Sequence, residues 1–173
     1  MKEIIAELKK PFPPAAHKER KLPGGDRWFY IPWQLIRDRL DEVCEEWECS
    51  YSQPFYLDHA NPKKALCCIT CTISIEGHSR QGVGNAEIEL ISGSGKDMGR
   101  GTPVERAVAD AFKNAAEAWG VGRYLDDQAE VTRLLQRSGD GRAVAFAAKN
   151  QNSYTRKTGE ISREQWLSQQ RGN

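Results

Sequence analysis

Cys68-x-x-Cys71 has the spacing of half a zinc site, and it sits in the run Leu66-Cys-Cys-Ile-Thr-Cys-Thr-Ile-Ser-Ile75. That run alternates like a strand, and strand residues three apart point to opposite faces, so the two thiols diverge. Cys67 and Cys71 instead share a face with Ile69, Ile73 and Ile75, and small buried hydrophobes are expected there. Ile91-Ser-Gly-Ser-Gly-Lys-Asp97 suggests a phosphate loop, but Leu90 replaces the first glycine and Asp97 stands where a hydroxyl should hold magnesium. Gly77-His-Ser-Arg-Gln81 approaches a nucleophile elbow and ends in Gln rather than Gly. His17, His59 and His78 lie far apart, without metal-ligand spacing. Glu45, Glu46 and Glu48 read as a solvated helix end rather than paired catalytic carboxylates. A binding protein without cofactor or metal is therefore expected, and not an enzyme. The alternative of another class is a nuclease using the 92–100 loop.

The elements that must position any ligand are legible in outline. Residues 3–9 suit a short amphipathic helix stopped near Pro11, and 11–25 reads as an extended, turn-rich arm. Pro32 opens a helix in which Trp33, Ile36, Leu40, Val43 and Trp47 recur at helical spacing. Three strand-like runs follow at 48–57, 65–75 and 79–90, the last two forming a hairpin around Gly77. Thr102-Pro-Val-Glu105 is a capping box. The helix it opens should bury Val104, Val108, Ala111, Phe112, Ala115 and Trp119 and stop at Gly120. Its other face presents Arg106, Asp110, Lys113 and Glu117 at ion-pair spacing. The expected fold class is α+β, a three-stranded antiparallel sheet packed on the capped helix, with flanking N-terminal helices.

Charge divides the 173 residues. Residues 1–130 hold 17 Lys+Arg against 21 Asp+Glu, a net of −4; residues 131–173 hold 8 against 3, a net of +5, summing to +1. The expected organisation is a domain over 1–130 and a basic, weakly structured tail over 131–173. Acid is concentrated between Asp38 and Asp58, whereas the arm carries Lys18, Arg20, Lys21 and Arg27. Local basic patches thus exist on a neutral chain, and a polyanion responds to the local field. No apolar run approaches the roughly 20 residues of a membrane helix, so no membrane partner is expected. Five cysteines and a start without a secretory apolar stretch predict reduced thiols in a cytoplasmic protein.

Over roughly residues 8–127 the chain resembles the Rad52 family of single-strand annealing proteins. The resemblance is carried by Leu8-Lys-Lys-Pro-Phe-Pro13, by Gly24-Gly25 leading to Tyr30-Ile31, and by Gly82-Val-Gly84. It continues through Glu105-Arg-Ala-Val-Ala-Asp-Ala-Phe-Lys-Asn-Ala-Ala-Glu-Ala-Trp-Gly120 and on to Gly122 and Leu125-Asp126. The resemblance implies β-β-β-α domains assembled side by side into a homo-oligomeric ring or arc. Such an assembly binds single-stranded DNA along a basic groove, bases outward, and anneals complementary strands without ATP in recombination and repair. Arg20 matches a groove arginine and Lys113 a groove lysine, while Asn114 stands where a second base is common. Lys18, Lys21, Arg27 and Arg106 extend this DNA-binding set, and Lys96 and Arg100 suggest an outer DNA site. End protection or recombinase loading is the alternative within the class. The tail would then contact a recombinase or single-strand-binding protein.

Overall fold

The computed structural model describes residues 1–22, 27–58, 61, 64–89, 91, 94, 95, 99 and 101–139. In chain order the elements are helix α1 (Lys2–Leu8), strands β1 (Lys18–Lys21) and β2 (Arg27–Tyr30), helix α2 (Trp33–Val43), and strands β3 (Trp47–Tyr51) and β4 (Phe55–Leu57). Strands β5 (Leu66–Ile75) and β6 (His78–Glu87) and helices α3 (Pro103–Ala118) and α4 (Gln128–Arg137) follow. The class is α+β with antiparallel sheets. A first compact unit spans Met1–Gln128; the second begins at Ala129, and its described part, 129–139, holds α4 beyond Gln128. The expected tail boundary at residue 130 falls inside α4, and residues 140–173 lie outside the described residues.

Alternation in β5 sets the core. Cys67, Ile69, Cys71, Ile73 and Ile75 are all buried, together with Phe112, Ala115 and Trp119 of the α3 segment and Ile36 and Leu40 of α2. The Trp119 indole N–H donates to the Ile73 carbonyl at 3.1 Å, tying the end of α3 to the central strand. The capping box at Thr102 is present: the Glu105 N–H donates to the Thr102 hydroxyl at 3.2 Å, and the Thr102 N–H donates to the Glu105 carboxylate at 2.6 Å.

The sheet differs from three uniform strands. β5 is flanked by β6 on one side and by both β3 and β4 on the other. Tyr51 pairs with Cys71, but Phe55 pairs with Cys68, so one extra residue enters the edge strand between them. Pro54, which has no N–H to give a ladder, lies in that break, and the expected run 48–57 is therefore two strands. A second correction concerns the arm. Residues 18–21 form β1, paired with β2 in a separate two-stranded sheet. Lys-Glu-Arg-Lys carries no β-branched or aromatic residue, so propensity concealed the strand.

A third correction lies in the helix–sheet contact. Val104 and Val108 of α3 are only half-buried, while Ala107, Ala111, Ala115 and Ala116 are fully buried. The cause is glycine on β6. A Cβ at Gly82 would lie 2.1 Å from the Ala115 nitrogen, and one at Gly84 would lie 2.0 Å from the Ala111 nitrogen. Helix and strand backbones touch here, and only residues without bulk fit between them.

Candidate nucleic-acid interface

Pairing in the β1–β2 ribbon sorts its side chains by face. Lys18 lies opposite Tyr30 and Arg20 opposite Trp28, while Glu19 lies opposite Phe29 and Lys21 opposite Arg27. Phe29 is fully buried, which turns Lys18, Arg20, Trp28 and Tyr30 outward together. The two aromatics remain 41% and 40% exposed, and both cations are exposed without an ion pair among the described residues. Cations and aromatic rings thus alternate across one open face. Lys21 and Arg27 fall on the other face, where the Arg27 guanidinium meets the Glu19 carboxylate at 2.9 Å.

Several side chains hold this ribbon in place. The Gln128 amide accepts from the Phe29 N–H at 2.8 Å and donates to the Phe29 carbonyl at 3.0 Å and to the Leu125 carbonyl at 2.7 Å. Upstream, the Phe12 N–H donates to the Tyr124 hydroxyl at 3.1 Å, and that hydroxyl bonds the buried His17 Nε2 at 2.8 Å. His17 Nδ1 lies 3.1 Å from the Pro13 carbonyl, so a donor at Nδ1 and an acceptor at Nε2 complete the chain. Burial pushes the Tyr124 phenol above its ordinary range, against the lowering effect of the Phe12 N–H. Arg39 of α2 stacks over the Phe12 ring at 4.3 Å and donates to the Lys10 carbonyl at 2.9 Å. The Lys-Pro-Phe-Pro stretch is thereby an anchor for the ribbon.

On α3 the expected DNA-binding residues separate. Arg106 and Asn114, with the acid Asp110 midway between them, stand four residues apart and line the outer edge of β6. Arg106 donates to the Glu87 carbonyl at 2.6 Å, Asp110 accepts from the Asn85 N–H at 3.2 Å, and Asn114 donates to the Val83 carbonyl at 2.7 Å. These side chains satisfy main-chain groups that an edge strand leaves unpaired. Arg106 also donates to the Gly101 carbonyl at 2.8 Å. Lys113 lies 3.4 Å from Asp110 and is 45% exposed, so its ammonium faces solvent beside one carboxylate.

Beyond the helix end, Arg123 donates to the Glu117 carbonyl at 2.9 Å, and Arg80 donates to the Ala118 carbonyl while stacking on Trp119 at 4.6 Å. Burial raises the Glu117 carboxyl above its ordinary value, helped by the nearby Asp126 and opposed by Arg123.

The structure therefore joins Lys18 with Arg20 on one ribbon face and leaves Lys113 on a separate element, with no hydrogen bond or ion pair linking the groups among the described residues. Lys96, Arg100 and most of the 92–100 loop lie outside the described residues. Sequence reading missed Trp28 and Arg80. Trp28 could have been found only by recognising β1, because its significance is its place opposite Arg20. Among the described residues no group of three or more His, Cys, Asp or Glu side chains could hold a metal ion. No described helix is long and apolar enough to cross a membrane.

Comparison with known proteins follows the same residues. Residues 1–141 match the profile of the Rad52/22 family double-strand break repair protein. A 123-residue stretch, 71% of this chain, is 25% identical to the DNA repair RAD52-like protein 1, mitochondrial, of Arabidopsis thaliana. The match covers 65% of that relative's own length, a little under two thirds.

Proposed function

This chain belongs to the Rad52/22 family of double-strand break repair proteins, and from that premise we propose that it binds single-stranded DNA as a homo-oligomer and anneals complementary strands without ATP. The observation that carries this reading is the open ribbon face, where Lys18 and Arg20 alternate with Tyr30 and Trp28. Cations hold phosphates whatever the sequence, and exposed rings accept any base on its π-face. Neither contact occupies the Watson–Crick edge, which stays available to an incoming strand. Lys113 supplies a further phosphate contact from α3. Asn114 supplies none, because its amide is committed to Val83.

Repetition of this face in an oligomer multiplies weak contacts. Each neutralised phosphate adds about 0.7 to the slope of log affinity against log salt for a single strand, so a ring of subunits binds steeply with salt. Annealing requires no bond to break, which suits a site built from cations and rings rather than acids and bases. The open face is compatible with a recombinase-loading role as well, but no described feature favours it.

The test is annealing of complementary labelled strands without nucleotide or metal, comparing wild type with Lys18→Ala/Arg20→Ala and with Lys113→Ala. Wild type anneals, the double variant loses most of the rate and about 1.4 from the salt slope, and Lys113→Ala loses about half as much slope. Unchanged annealing in the double variant at moderate salt sinks the ribbon assignment. A light-scattering mass equal to one 19.5 kDa chain removes the oligomer.

A further inference from the structure

Four of the five cysteines lie on the sheet, and two of them touch. Cys49 on edge strand β3 and Cys71 on central strand β5 bring their sulfurs to 3.5 Å. They occupy one face of the sheet: Cys49 pairs with Ile73, and Cys71 pairs with Tyr51, two residues along. The thiols are therefore diagonal neighbours, the arrangement in which strand twist brings side chains together. All five cysteines are free, and Cys49 alone among them is partly exposed.

From this geometry we infer that Cys49 and Cys71 are an oxidisable pair, forming an intramolecular disulfide across β3 and β5 when the protein meets a peroxide or a small-molecule disulfide. Closing 3.5 Å to a bond of about 2.05 Å requires both side chains to rotate and, because diagonal neighbours sit wider apart than directly opposed ones, a small shift of edge strand β3 toward β5. No other pair of cysteine sulfurs is hydrogen-bonded among the described residues.

The exposures set the order of events. Cys49 is reachable, whereas Cys71 is fully buried. Burial, and then the hydrogen bond with Cys49, pushes the Cys71 thiol up to about 12, against the lowering effect of Arg37. Cys49 is accordingly the first to react. Its thiolate attacks a peroxide oxygen, the O–O bond breaks, and Cys49 sulfenic acid and one water form. Cys71 then surrenders its proton and attacks the Cys49 sulfur; the S–S bond forms and the hydroxyl leaves as a second water. Two thiols and one peroxide become one disulfide and two waters, the sulfurs giving two electrons to the peroxide. With glutathione disulfide the same pair yields the protein disulfide and two glutathiones.

The test uses the full chain, fully reduced and then exposed to hydrogen peroxide or glutathione disulfide. Remaining thiols are counted and alkylated, and the digest is read by mass spectrometry. Five titratable thiols are expected to fall to three, with one cross-linked peptide pair joining Cys49 to Cys71 and a rise in melting temperature that reductant reverses. Cys71→Ser is expected to trap Cys49 as a glutathione adduct. Should that variant fold poorly, Cys49→Ser, altered at the partly exposed edge strand, must leave four thiols that resist the same oxidant dose. Links through Cys44, Cys67 or Cys68, sulfinic acid at Cys49 without a cross-link, or five surviving thiols in the wild type would each overturn the pair.

Discussion

On the β1–β2 ribbon, Lys18 and Arg20 stand in the open opposite Tyr30 and Trp28, whereas along β6 Arg106, Asp110 and Asn114 are spent on the strand's own main chain. Both sets are polar, surface-lying and evenly spaced, and the sequence places Arg106 and Asn114 at the DNA together with Lys18 and Arg20, though not Asp110. Their backgrounds separate them. A side chain beside an unpaired carbonyl completes the fold, while a cation beside an exposed ring, with no acid at hand, remains available to a ligand. Lys113 lies between the two conditions, solvent-facing but leaning on Asp110. Neighbours, rather than residue type, assign the role.

The comparison breaks most visibly at Gly84. Gly84→Val places side-chain atoms where the Ala111 backbone already lies, and it is expected to cost about 3 kcal/mol or more, read as a collapse in denaturant midpoint. Its counterpart on the ribbon is Trp28→Ala, expected to leave the melting temperature near wild type and to weaken binding of a labelled oligothymidine by about 1–3 kcal/mol per stacked base. If Trp28→Ala binds as tightly as wild type, the ribbon is a structural element like the β6 edge and the contrast disappears. Asn114→Ala should behave in the opposite sense, losing about 1 kcal/mol of stability with unchanged affinity for the oligonucleotide.

The smallest effect is one of pH. Glu105 accepts from the Thr102 N–H and hydroxyl, which lowers its carboxyl below the ordinary 4.5. A carboxyl lowered in the folded state contributes stability fully above its unfolded value and loses it as pH falls through the folded one. Wild type should therefore exceed Glu105→Gln in melting temperature near neutrality, the gap closing below about pH 4.5. A gap independent of pH would remove the cap from the account.

How much was legible in the sequence follows local physics. The capping box at Thr102 and the alternation of β5 depend on neighbours a few residues away, and each appears where its pattern placed it; the stripe of α2 holds only at Ile36, Leu40 and Val43, because Trp33 is exposed and Trp47 lies in β3. β1 was hidden, because Lys-Glu-Arg-Lys becomes a strand only through its pairing with Arg27–Tyr30 and the grip of Gln128 on Phe29. On the inner face of α3, Ala111, Phe112, Ala115 and Trp119 are buried as their spacing predicts, while Val104 and Val108 pack only at the margin of the core, since burial there is decided by Gly82 and Gly84, some 25 residues upstream in the chain. The separation of Arg20 from Arg106 was invisible for the same reason: only tertiary contacts show which guanidinium has carbonyls within reach.

The covered edge of β6 has one more consequence. β5 is a ten-residue run of Leu, Ile, Cys, Thr and Ser, the composition that stacks into fibrils when a neighbouring chain can add a strand beside it. On one flank β6 is sealed by a row of α3 side chains; on the other, Pro54 and the slipped register between β3 and β4 interrupt the template. The molecule can thus be crowded against its own copies while this strand stays shielded on both sides.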